Sequence, residues 1–198
     1  MILPFPSSPK KPPITTVDAM FRIVSFAYLI YLPATVNIKL SKISILSEEN
    51  FAGNIIINLA SLPNFLRTPI LKKRMTEFFS MDDSEKAEII NNALEAGPTI
   101  PFPNFSKLFK TWLEVLCTVT EENRYDMFSN YFMEIIKNPE KIILFNLDGI
   151  FEIFSRLDVS KQKILSKSIQ DVFHRLDEES KRKMILITPD IARKVIGF

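Results

Sequence analysis

Apolar residues recur along much of this chain at helical spacing. Phe105, Leu108, Phe109, Trp112, Leu113 and Leu116 fall at i, i+3, i+4, i+7, i+8 and i+11, which places them on one face of a helix. Trp112, within that stripe, is expected to be largely buried. Ile143, Leu147, Ile150, Phe151, Phe154 and Leu157 repeat the stripe, reading as one helix from Pro139. Between them Phe128, Phe132, Ile135 and Ile136 form a facing stripe, and Leu165, Ile169, Val172 and Leu176 make a fourth.

Polar and proline punctuation separates the stripes at a regular step. Pro63, Pro101 and Pro139 are spaced by 38, and Asp82, Thr120 and Asp158 fall midway between them with the same spacing. Asp177 follows Asp158 by 19. Proline suits a helix's first turn, where its missing N–H would find no intrahelical partner. Asp and Thr side chains accept hydrogen bonds from the free N–H groups there. Met81, Val119, Leu157 and Leu176 precede the polar starts, where an apolar residue packs on the first turn. Thr188-Pro189-Asp190 marks a further break, with a last short helix ending near Gly197.

The pattern predicts an all-α fold. Over 63–198 it is a tandem array of antiparallel helical hairpins, about 38 residues each, forming a short α-solenoid or superhelical bundle. Residues 47–62 read as a degenerate first helix, opened by Ser47 and weakened by Gly53, so the repeat domain spans 47–198. The unit length is similar to that of HEAT-like hairpins. The turns at Leu157-Asp158 and Leu176-Asp177 resemble those of helical repeats in flagellar motor-switch and magnesium-transporter regulatory domains, a likeness confined to roughly the last third. It implies stacked helices and assigns no residue a role.

Residues 1–46 lack the step and read as an irregular apolar extension. Residues 4–13 hold five prolines and form an extended tail. Ala19–Ile38 is the most apolar stretch, uncharged for sixteen residues from Ile23, against the roughly 18–20 needed to span a bilayer. It reads as a buried helix, a membrane-associated segment or a dispensable extension. Val36–Leu46 then alternates as a short strand would.

Charge narrows the function classes. The formal net charge of +2 sits in residues 1–62, which carry five Lys/Arg against three acids, leaving 20 of each in 63–198. A neutral array lacks the broad positive field of a general nucleic-acid binder. At the step of 38 no basic column continues: Lys72 and Lys110 lead to Asp148, Lys86 and Arg124 to Gln162, and Glu88 and Asp126 to Ile164. Basic clusters at Lys181–Lys183 and Arg193–Lys194 remain, and they read as solvated faces.

Candidate chemistry is sparse. Cys117 and His174 are the sole residues of their types, too few for a closed structural zinc site. Cys117 lies beside an apolar stripe, as an inert small side chain does. The acid pairs Asp82/Asp83, Glu121/Glu122 and Glu178/Glu179 all sit at helix starts, where negative charge is favourable for structural reasons. Four glycines provide no phosphate loop. The sequence therefore assigns no catalytic, cofactor-binding or metal residue. It points to a non-enzymatic, cytoplasmic interaction or scaffold module with a protein partner. Two alternatives stand beside it: a regulatory or scaffold protein anchored to a membrane through 19–38, and an enzyme with a site of carboxylates and Lys/Arg.

Overall fold

A computed structural model of the chain describes residues 51–197. The readings of 1–46 as an extension, of 19–38 as a buried or membrane segment and of 36–46 as a strand lie outside the described residues. Among those described, every regular element is a helix and no strand occurs.

The elements are α1 Phe51–Ser61, α2 Asn64–Phe79, α3 Asp83–Ala96, a 3-10 turn Gly97–Thr99, α4 Phe102–Leu116 and α5 Glu121–Lys137. After these come α6 Pro139–Ile143, α7 Leu147–Ser155, α8 Val159–Arg175, α9 Glu178–Ile187 and α10 Asp190–Ile196.

Six expected starts are the capping residues themselves: Pro63, Asp82, Pro101, Thr120, Asp158 and Asp177. Pro139 is the first residue of α6. Asp82 forms a full capping box with Glu85, while Thr120 accepts from Asn123 N and Asp177 from Ser180 N. Asp158 makes no such bond; its carboxylate lies 3.4 Å from Lys161 instead. Gly197, with φ +90°, closes α10 in the left-handed conformation that glycine adopts without strain.

One expected helix is two. The stripe from Ile143 to Leu157 does not run unbroken: α6 stops at Ile143, and Ile143 and Leu144 are exposed. The break carries Phe145 inward onto Phe105, ring centroids 5.6 Å apart, over Gly97. Asn146 then caps α7 by accepting from Gly149 N at 3.0 Å. A Cβ on Gly97 would collide with the Phe145 ring, and one on Gly149 with the ring of Phe102. Two phenylalanine slots thus outweigh the continuity of one helix.

Packing also departs from simple hairpins. The principal pairings skip one helix: α1 on α3, α2 on α4, α3 on α5, with α4 on α7 and α5 on α8 completing the pattern. Leu116 and Leu165 are fully buried at the centre of the core, and Ile90, Val115 and Val172 are nearly so. Trp112, expected to be largely buried, is half-buried, stacked on Phe109 and edge-on to Phe128 and Tyr131. No helix of the described residues is long and apolar enough to cross a membrane.

Candidate functional site

Burying a charged or polar side chain is costly unless it is paired, so such residues mark where the chain is most constrained. Six are buried among the described residues: Arg67, Lys86, Thr111, Arg124, Glu134 and Ser168. They fall into two arginine clasps and one polar seam.

Arg67, in the first turn of α2, donates from Nε to the Leu59 carbonyl at 3.1 Å and from a terminal nitrogen to the Leu62 carbonyl. Its other terminal nitrogen donates to Thr111 Oγ1, 44 residues ahead on α4, at 3.1 Å. Arg124, in the first turn of α5, donates to the Leu116 and Val119 carbonyls at 3.0 Å each. Its Nε donates to Ser168 Oγ, again 44 residues ahead, on α8, at 2.9 Å. The partners of both arginines lie at i−8, i−5 and i+44, so the second clasp repeats the first at a step of 124 − 67 = 57. Thr111 and Ser168 each donate in turn to the carbonyl four residues back.

The physical logic is the same twice. Leu59 and Leu116 lie in the last turns of α1 and α4, with Leu62 and Val119 just beyond them, and a helix C-terminus carries partial negative charge. A guanidinium there donates to one carbonyl in the last turn and one beyond it, and reaches across to a third helix as well. Such charge-assisted bonds are about twice as strong as neutral ones. Burial pushes Arg67 down from its ordinary value, in the direction expected of a cation leaving water.

The polar seam joins α3 to α5 and α6. Lys86 Nζ lies 2.9 Å from Asp126, and Asn91 donates to Glu134 at 2.5 Å. Lys137 pairs with Glu134 at 2.7 Å, and Lys141 reaches both Asn91 and Glu95. Burial acts to raise Glu134, yet the hydrogen bonds from Lys137 and Asn91 hold it below its ordinary value. The seam is a lattice of satisfied pairs, with its acids and bases already engaged.

The residues singled out in the sequence are dispersed. Cys117 follows α4, its Sγ 3.9 Å from the Lys161 carbonyl, and burial pushes its thiol up, away from the nucleophilic thiolate. His174 is exposed in the last turn of α8. Glu121 pairs with Lys167 on α8, and Glu178 and Glu179 pair with Lys181 and Lys183 on their own helix. Among the described residues no group of three acids, histidines or cysteines is placed to hold a metal ion.

The 38-residue columns concealed the clasps. At the arginine step a basic column does run through three members, Arg67, Arg124 and Lys181. Its first two members are buried, so they serve the fold and do not face a nucleic acid. The usable signal was a pair of arginines four residues after helix starts, each followed by a hydroxyl residue 44 later. Compared with known proteins, the chain matches no family model, no curated protein and no solved structure.

Proposed function

We propose that residues 51–197 form a short α-solenoid of three-helix units, repeating at the spacing of the two arginines, which acts as a non-enzymatic scaffold for a protein partner. The recurrence of the arginine clasp, with its three spacings intact, carries this reading. The order of packing supports it. The first helix of each unit lies on the third (α1 on α3, α4 on α7, α8 on α10), and the second on the first of the next unit (α2 on α4, α5 on α8). The third helix lies on the next unit's second, as in α3 on α5 and, in the second unit, where α6 and α7 share the third place, α6 on α9. Units of this kind bury their apolar faces against their neighbours and leave extended surfaces for partners. From architecture to partner binding the step is one of analogy.

Affinity isolation of the full chain from its own cells, with mass spectrometry of co-purifying proteins, tests it. A protein recovered in near-stoichiometric amount, and lost with an Arg124→Met chain, is the expected result. Recovery of the chain alone would count against the scaffold role. A membrane-held version, through the uncharged run Ile23–Ile38, predicts instead that the chain sediments with membranes in fractionation.

A further inference from the structure

The break between α6 and α7 sets local sequence against tertiary packing. Residues 140–148 contain neither proline nor glycine, and Ile143, Leu147, Ile150, Phe151 and Phe154 keep one helical stripe across it. The broken form turns Ile143 and Leu144 to water, 65% and 70% exposed, while the ring of Phe145 is only half-buried. Burying an isoleucine and burying a phenylalanine stabilise to a similar extent, so the exposed Ile143 offsets much of what that ring contributes. Phe145 N donates to the Ile142 carbonyl at 3.1 Å and Leu147 N to the Phe145 carbonyl at 2.9 Å. In an unbroken helix both would bond four residues back. The two halves are also unequally held. α7 packs on α4 and α10, with its Gly149 against the Phe102 ring. α6 lies on α3, α5 and α9 but has five residues, none of them buried. Lys141 ties it to α3, 2.9 Å from Asn91 Oδ1 and 2.8 Å from Glu95, whose side chain is half exposed to water.

We infer that α6 is a latch with two states. In the closed state, the one described above, Phe145 lies over Gly97 and Lys141 reaches α3. In the released state α6 joins α7 as one helix from Pro139 to Ser155, pivoting on the firmly packed α7. Ile143 then extends the apolar stripe of α7, Phe145 leaves Gly97, and Lys141 parts from Asn91 and Glu95. Such an element is bistable because each state buries what the other exposes. Whether or not the chain serves as a scaffold, a ligand that prefers one state shifts the balance between them.

Hydrogen exchange of the full chain, read by mass spectrometry over 139–155 and corrected for intrinsic rates, tests the latch beside far-UV circular dichroism. Asn146→Ala removes an exposed cap that α7 uses only when it starts afresh, and places a good helix former where the two helices would join. Gly97→Ala acts from the other side, driving a methyl into the Phe145 ring. Both should favour the released state, raising protection over 143–149 about fivefold, the worth of a typical cap, with helicity kept or raised. A break that is only structural responds with the opposite sign, because losing a cap or overpacking a slot loosens it. Gly97→Ala can disturb the core at large, so Asn146→Ala decides. Higher protection over 143–149 in that variant supports the latch; unchanged or lower protection there overturns it, whatever Gly97→Ala does.

Discussion

The two arginine clasps join partners at the same three spacings, yet their donor atoms are exchanged and their rims differ: Nε of Arg67 meets the carbonyl at i−8, whereas Nε of Arg124 meets the hydroxyl at i+44. At the α2–α4 junction, Asn64 opens α2 and its amide lies 3.2 Å from Thr111 Oγ1, so the rim is neutral. At the α5–α8 junction the corresponding residue is Glu121, which turns outward to Lys167 at 2.7 Å. The hydrogen bond from Lys167 holds Glu121 below its ordinary carboxylate range. Arg67 is 4% exposed and Arg124 8%. Change is thus tolerated where water can solvate either partner. At the centre, two carbonyls and one hydroxyl call on several donors of one planar side chain, which a lysine does not offer in that arrangement.

The largest expected effect comes from removing that side chain. Arg67→Met and Arg124→Met should each destabilise by about 3 kcal/mol in urea denaturation, since hydrogen bonds from a buried charged group are lost. Lysine at either site should recover only part. A double-mutant cycle sharpens the comparison: coupling of Arg67 with Thr111 and of Arg124 with Ser168 should agree within about 0.5 kcal/mol. Unequal couplings would show that the junctions share geometry without sharing energetics.

Truncating the aromatic ladder should come next. Trp112→Ala is expected to cost about 3 kcal/mol, the low end for a large aromatic, because the indole is half-buried. Native fluorescence should be shifted from that of a fully hydrated indole. Gly149→Ala forces a methyl against the Phe102 ring and the Asn146 amide. It should cost roughly 1–3 kcal/mol, as overpacking does, with thermal unfolding as the readout.

The smallest effect concerns pH and separates the polar seam from the clasps. Glu134 is held low in the folded chain, so its contribution is fully present above its ordinary value of 4.5 and is lost as pH falls through the lower, folded value. Stability measured on acidification should therefore fall less steeply in Glu134→Gln than in the parent chain. Arg67→Met should leave that slope unchanged, because its partners are carbonyls and a hydroxyl that do not titrate there.

Helix positions were legible because each cap is a local event. Asp82, Thr120 and Asp177 meet backbone groups two or three residues away, within reach of any sequence window. The break at Leu144–Asn146 was not, since its cause lies in Gly97 and Phe105, forty or more positions back. A stripe of correct period conceals such a break. The junction chemistry was hidden for a related reason. A 38-residue step matched the alternation of prolines with polar caps, whereas the clasps link helices that are neighbours in space and not in sequence. At that step Lys86 and Arg124 fall in one basic column that ends at Gln162, although both are buried.

The reach of each clasp has a mechanical consequence. Arg67 and Arg124 each tie a point 8 residues behind to one 44 residues ahead. The polar seam spans a similar length, with Lys141 and Asn91 fifty positions apart. Such tethers are short beside the chain, so a pull on its two termini does not load them all together. The described helices should give way in successive steps, the two clasps releasing one after the other.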